Sequence, residues 1–256
     1  MEVVLANGEI VRTGMGAVAG SREWQTYKQG YGPIWDGAFT QSNFGIVTKM
    51  GIWLMPEPEG MAGVTISLAR EEDLEALVDT LRPLRLDDTI NSTYTIMNGV
   101  RQVFRVGARS RLYQGPGHLP HEVVAEQLKK QGDGWWSVIF NLFDRPAGLD
   151  VRLQAIEAAF ARIPGAKLTT QRWRRGEPLA PWMRQDVSLV PLGVIDWHGG
   201  PGGHTDFGPV VAAVGARVRE VYDLVYRRFE EYGIDCFVGM FGVGSRSIVM
   251  VADLIY

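Results

Sequence analysis

Residues 135–173 read WWSVIFNLFDRPAGLDVRLQAIEAAFARIPGAKLTTQRW. The hydrophobic period changes twice within this stretch. Residues 135–143 form a run of aromatic and β-branched side chains, which reads as a strand, and Asp144-Arg145-Pro146 closes it. Leu149, Leu153, Ile156, Phe160 and Ile163 then recur at spacings of 4, 3, 4 and 3, which places them on one stripe of a helix. Residues 167–173 return to a strand pattern. Outward from this passage the same order repeats. Upstream, residues 61–68 read as a strand. Residues 71–81 read as a helix, with Glu71, Glu72 and Asp73 favourable at its positive N-terminal end. Residues 93–100 read as a strand and 121–130 as a helix. Downstream, Val214, Val218, Val221, Val225 and Tyr232 mark a further helix, and residues 237–243 and 248–256 end the chain as strands. Strand–helix–strand passages with extra strands between them specify an α+β sandwich, with helices covering one face of a mostly antiparallel sheet.

The pattern before Pro56-Glu57-Pro58 is different, so a boundary falls near residues 56–60. Residues 2–5 and 10–12 flank Asn7-Gly8, a pair that tolerates the positive φ values of a type I′ hairpin turn. Residues 22–29 read as a short helix, 31–44 as an ordered loop and 46–55 as a strand.

Composition narrows the function classes. The chain has 256 residues, 46% of them hydrophobic, and a net charge of −3. That is ordinary globular composition with no pull toward nucleic acid or an anionic membrane. A single cysteine, Cys236, excludes an intrachain disulfide and a thiolate zinc site. His118 and His121 lack an HExxH context, so no metal site is expected. No apolar run is long enough for a membrane span and the first residues do not resemble a secretory leader, so a soluble, cytoplasmic protein is expected. The chain is rich in Gly (31) and Trp (8), which suits tight turns and large aromatic contacts in a core or cleft.

No catalytic residue emerges from motifs. Val243 and Ser247 stand where a nucleophile elbow around Ser245 needs glycine. Residues 199–204 read GGPGGH and lack the Lys-Ser/Thr pair of a phosphate loop, so they read as a turn. Arg172, Arg174 and Arg175 around Trp173 read as a solvated strand end, and Asp186 and Asp196 define no carboxylate pair. The most informative stretch is TQSNFGIVTK at residues 40–49. Small and polar residues lead through Gly45 into a β-branched strand. This is either a tight loop before a core strand or a place where the backbone approaches a flat ligand and recognises it with its own N–H and C=O groups.

Read as blocks, residues 1–16 (MEVVLANGEIVRTGMG) and 37–56 (GAFTQSNFGIVTKMGIWLMP) resemble the vanillyl-alcohol oxidase, eugenol oxidase and 4-cresol dehydrogenase family of FAD-linked oxidoreductases. The resemblance continues more thinly along the chain and returns at residues 199–210 and 246–256. It implies that residues 1–58 are the C-terminal part of an FAD-binding domain. Residues 59–256 are then a ferredoxin-like, antiparallel-sheet cap domain, incomplete at its C-terminus. It further implies a cofactor-binding set of Ser42, Asn43, Gly45, Ile46, Val47 and Thr48, with the backbone at Ile46 and Val47 nearest the FAD.

Enzymes of this family oxidise para-substituted phenols. The phenol binds as phenolate, hydride leaves the benzylic carbon for flavin N5 and a quinone methide results. The resemblance also implies three departures. The pyrophosphate-binding half of the FAD domain lies N-terminal to residue 1, and the phenolate-binding Tyr-Arg pair lies beyond Tyr256. Some members link flavin to a histidine in an Arg-x-Met-His-His pattern. Here the matching run is Arg246-Ser247-Ile248-Val249-Met250, so Val249 and Met250 replace the histidines and FAD is expected to bind without a covalent bond. A small phenolic substrate is implied, and a homo-oligomer or a cytochrome partner is compatible with the resemblance. Two further readings stand beside the enzyme: a non-catalytic remnant or isolated cap domain without flavin, and an unrelated ferredoxin-like ligand-binding module.

Overall fold

Asn7 and Gly8 stand in the loop between β1 (Glu2–Leu5) and β2 (Ile10–Arg12) in the computed structural model, which describes residues 1–30, 32–184 and 192–256. The turn is not type I′. Gly8 takes a positive φ of 85°, whereas Asn7 stays at negative φ and uses its side chain as an acceptor for the Glu9 N–H at 3.0 Å. β3 (Gly45–Lys49) pairs antiparallel with the other edge of β1, giving the sheet order β2-β1-β3. The strand expected over 46–55 therefore ends at Lys49. Met50, Ile52, Trp53, Leu54 and Met55 follow as exposed apolar side chains outside any strand. The helix expected over 22–29 is a turn at Trp24–Thr26, closed by Thr26 and Tyr27 N–H groups on the Glu23 carbonyl. Tertiary packing overrides the local pattern there. The Trp24 ring fills the space left by Gly16, and the Lys28 carbonyl approaches Gly14, where a Cβ would stand 2.7 Å from it.

The chain divides into two compact units, Met1–Glu57 and Pro58–Tyr256. The second unit begins β4 (Gly60–Leu68), α1 (Leu74–Leu86), β5 (Tyr94–Met97), α2 (Gly99–Val103), α3 (His121–Gln131), β6 (Trp136–Asp144), α4 (Pro146–Phe160) and β7 (Lys167–Arg174). It continues with β8 (His204–Phe207), β9 (Val210–Ala212), α5 (Gly215–Glu231), β10 (Phe237–Gly242) and β11 (Ser247–Ile255). The eight strands form one antiparallel sheet in the order β7-β4-β6-β5-β10-β11-β8, with β9 also on β11. Within it, β4-α1-β5-β6-α4-β7 is the β-α-β-β-α-β arrangement of a ferredoxin-like half, its strands ordered fourth, first, third, second. The β5–β10 pair continues the sheet into the C-terminal strands.

Alternation explains which face is buried. Ala62, Val64, Ile66 and Leu68 of β4 and Trp136, Val138, Phe140 and Leu142 of β6 point to one side, and all are core residues. The helices cover that side. The stripe expected in α4 is buried as read, including Ile163 just past the helix end. α1 contributes Leu74, Leu77, Val78, Leu81 and Leu84, and Tyr222 of α5 meets the edge of the Trp136 ring at 5.0 Å. Each large side chain buried this way contributes about 1.5–3 kcal/mol before entropy is charged. Tyr232 lies outside the α5 stripe, exposed at the helix end.

The strand expected over 93–100 stops at Met97 because Asn98 caps α2. Its Oδ1 accepts the Arg101 N–H at 3.0 Å and the Val238 N–H at 3.2 Å, and its Nδ2 donates to the Cys236 carbonyl at 2.8 Å. The short strands β8 and β9 carry no sustained alternation and are defined by their pairing with β11. Among the described residues no helix is long and apolar enough to cross a membrane.

Candidate functional site

In the first unit, β3 is an edge strand, so every second residue presents its backbone N–H and C=O away from β1. Ile46 is 73% exposed, and Val47 and Gly45 are half-buried. The lack of a side chain at Gly45 has a local cause: a Cβ there would stand 2.5 Å from Val3 Cγ1 and 2.9 Å from the Val4 carbonyl. Thr48 turns its hydroxyl to Glu2, donating to a carboxylate oxygen at 3.1 Å. The Ser42 hydroxyl donates to the Ala38 carbonyl at 2.6 Å, while Asn43 is exposed and its side chain makes no hydrogen bond among the described residues. Of the six candidate contacts, Ser42 and Thr48 are thus committed by their side chains to the unit's own structure. Asn43 and the backbone of the edge strand are free to meet a ligand.

In the second unit, the sheet face opposite the helices is open. Thr65, Ile139, Asn141, Phe241 and Val251 lie partly exposed on it. A cavity of about 350 Å³ sits over its β7-β4-β6 portion, with Thr65, Thr169, Gln171, Asn141 and Ser92 on its walls and Trp182 at its side. Trp182 rests on Gly63, where a Cβ would be 2.7 Å from its ring.

A buried ion pair stands on the same face near β10 and β11. Arg101 Nη1 of α2 donates to Asp253 Oδ2, and Gly239 leaves room for the guanidinium passing over it. Asp253 is fully buried, and its Oδ1 has no donor among the described residues. Burial raises its carboxyl to about 6; Arg101 opposes that rise and the neighbouring Asp206 adds to it. The Thr95 hydroxyl, also buried, has no partner among the described residues either. Unsatisfied buried polar atoms are costly in a finished fold, so two of them on one open face mark a place for a ligand or water.

The other candidates resolve into structure. Val249 lies on the open face opposite Phe241, whereas Met250 is buried on the helix side opposite Met240. Asp235 accepts from Arg109 Nε at 2.8 Å, Trp197 Nε1 at 2.7 Å and the Leu119 N–H, which fastens the connection from α2 to α3. Burial pushes the Cys236 thiol up, away from reactivity. His121 stacks on Trp135 at 4.2 Å and meets Glu71 at 3.2 Å, and His118 faces Glu230. Gly203 in the glycine-rich turn exchanges backbone hydrogen bonds with Tyr256. Arg172 pairs with Asp150. Asp186 lies outside the described residues. Among the described residues no three metal-binding side chains cluster.

Arg101 and Asp253 escaped the motif search. The available signal was a lone carboxylate inside the apolar final run, at residue 253. Its cation is 152 residues away in the chain.

A long antiparallel sheet with helices on one face and an open face bearing a buried charge pair defines an α+β ligand-covering sheet. No family model matches the chain. It is 36% identical over 261 aligned residues, covering all of this chain, to the 4-cresol dehydrogenase (hydroxylating) flavoprotein subunit of Pseudomonas putida. It is 35% identical over 137 residues, 53% of its length, to the 1′-carboxy-chondrochloren decarboxylase of Chondromyces crocatus. The substrate-bound structure of p-cresol methylhydroxylase superposes over the whole chain with a TM-score of 0.89 at 35% identity. The isoeugenol complex of 4-ethylphenol oxidase from Gulosibacter chungangensis does so with 0.87 at 30%. The chain covers 50% and 51% of those two structures. It belongs to the 4-cresol dehydrogenase-like family of FAD-linked flavoprotein oxidoreductases and spans about half the length of the relatives it matches over its whole length.

Proposed function

We propose that this chain is part of an FAD-dependent oxidoreductase acting on para-substituted phenols. Residues 1–58 would be the end of its FAD-binding domain and 59–256 its cap domain. The observation that carries this reading is the 36% identity, sustained over the whole chain, to a 4-cresol dehydrogenase flavoprotein subunit. The residues suit a flat cofactor and an aromatic substrate. The β3 edge offers backbone donors and acceptors at Ile46 and Val47, with Asn43 beside them. The open face of the second unit has two buried polar atoms awaiting partners, Thr95 Oγ1 and Asp253 Oδ1. FAD, when bound, supplies the hydride acceptor that no side chain can provide.

The chain's own part is to bind and orient. Ile139, Phe241 and Val251 form an apolar wall suited to a ring. The Arg101 guanidinium stabilises negative charge developing on that face, as a phenol requires when it ionises. Asp253, held near neutrality by burial, can take a proton at Oδ1.

Flavin uptake tests this directly. The purified protein should acquire visible flavin bands on addition of FAD, and 4-cresol or 4-ethylphenol should bleach them in the absence of oxygen. A protein that stays colourless with excess FAD overturns the cofactor assignment and favours an isolated cap domain. Bands that no phenol bleaches overturn the substrate class. With Val249 and Met250 in place of histidines, acid precipitation should leave the flavin in the supernatant.

A further inference from the structure

We propose that His204 and Asp206 form a proton ladder that connects the buried carboxyl of Asp253 to solvent. The register of β8 on β11 sets Asp206 directly opposite Asp253 and His204 opposite Ile255. Alternation puts both β8 side chains on the face that carries Asp253. His204 Nε2 stands 3.7 Å from Asp206 Oδ1. Exposure falls along the row: Asp206 is 45% exposed, His204 30% and Asp253 0%. The outer two groups reach water and the third does not.

Two carboxylates directly opposite each other oppose strand pairing. The arrangement is favourable when the pair holds one proton, since a carboxylic acid can donate to a carboxylate. The Asp206 side chain is within hydrogen-bonding reach of Asp253 and raises its affinity for a proton. A shared proton also accounts for the Asp253 oxygen that has no donor among the described residues. The charged groups facing Asp253 are Arg101 from α2 and Asp206 from β8, with His204 behind; β10 presents Phe237 opposite it. Arg101 has no proton to exchange near neutral pH, so the route to water runs through β8.

The transfer balances. A proton arriving at Asp253 from a ligand on the open face adds to the pair. The Asp206 carboxyl passes one proton to His204, and the imidazolium releases it to water. One O–H bond breaks on the ligand, one proton reaches bulk solvent and the pair returns to its starting charge. The phenol as proton source rests on the function proposed above; the ladder itself does not.

The test is a pH titration of the 256-residue chain, with aspartate carboxyl carbons followed by ¹³C NMR and imidazole by ¹H–¹⁵N correlation. Asp206 and Asp253 should titrate as a coupled pair, each resonance reporting both steps. Asp206→Asn, or Asp206→Ser should the amide misfold, should leave Asp253 with a single step moved down by about one pH unit or more. His204→Gln should move the upper step of the pair up, because an imidazolium no longer favours the carboxylate. Independent single steps in the wild type, or variants that leave the Asp253 curve unchanged, overturn the ladder whether or not FAD binds. In FAD-loaded protein, phenol-linked proton release should slow in His204→Gln and recover with free imidazole. Unchanged release there would overturn the conducting role while leaving the flavin assignment intact.

Discussion

Replacing Arg101 by methionine keeps most of the packing of its stem and removes the cation from a fully buried carboxyl. Breaking a buried pair by deleting one partner costs about 3–5 kcal/mol, because the remaining charge is uncompensated. That cost has a distinctive pH dependence here. The folded Asp253 carboxyl is raised from its ordinary 3.8 to about 6, so the fold disfavours its ionised form. The stability this group contributes is full below the ordinary value and is lost as pH rises through about 6. Arg101 opposes the rise, so Arg101→Met raises the carboxyl further and enlarges the loss at high pH. At about pH 8 the variant should lose about 3–5 kcal/mol. At about pH 5 the carboxyl is already protonated, and the loss should shrink to about 1 kcal/mol, the value of one neutral hydrogen bond. Urea unfolding of both proteins at the two pH values measures the difference. The double variant Arg101→Met with Asp253→Leu should recover most of the high-pH loss, since an apolar pair of similar size is tolerated. An equal loss at both pH values, or a double variant as unstable as the single, would refute the assignment of a buried, cation-compensated carboxylate.

Gly45→Val should destabilise the first unit by about 1–3 kcal/mol, because its side chain meets Val3 and the Val4 carbonyl. Faster amide exchange in β1 and β3 would report it, and unchanged exchange would remove the packing explanation for this glycine. Gly63→Ala should push the Trp182 ring off β4. A change in tryptophan emission that disappears in the Trp182→Phe background is expected, and its persistence there would assign the change elsewhere. Asp235→Ala strands the Arg109 guanidinium, the Trp197 N–H and the Leu119 N–H together. It should cost about 3–5 kcal/mol in urea unfolding, and a loss under about 1 kcal/mol would show that water replaces the carboxylate easily.

The helices and central strands were legible because their signals are local. The spacing of Leu149, Leu153, Ile156, Phe160 and Ile163 contains the buried face of α4, and residues 61–68 alternate as β4 does. Expectations failed where a distant group intervened. Residues 22–29 lack a helix because Gly14 and Gly16 receive that segment's carbonyl and indole. The strand expected over 93–100 stops where Asn98 reaches backbone about 140 residues away. The loop before β3 was visible as a place of close backbone approach, yet Gly45 answers first to Val3 and Val4.

The candidate site divides along the same line. Two long blocks of residues, 1–16 and 37–56, carry the family in their order alone, because such blocks preserve a shared ancestry residue by residue. Periodicity likewise carries the α+β class, since each helix or strand writes its buried face into its own few turns. Whether a polar residue is solvated or functional is a different matter. Asp253 in isolation is a charge interrupting an apolar run. It becomes a buried acid once α2 brings Arg101 over Gly239 and the register of β8 sets Asp206 opposite it. Strand register and helix docking join residues with no sequence spacing in common. The electrostatics of this sheet face therefore exist in the folded chain and not in any local stretch of it.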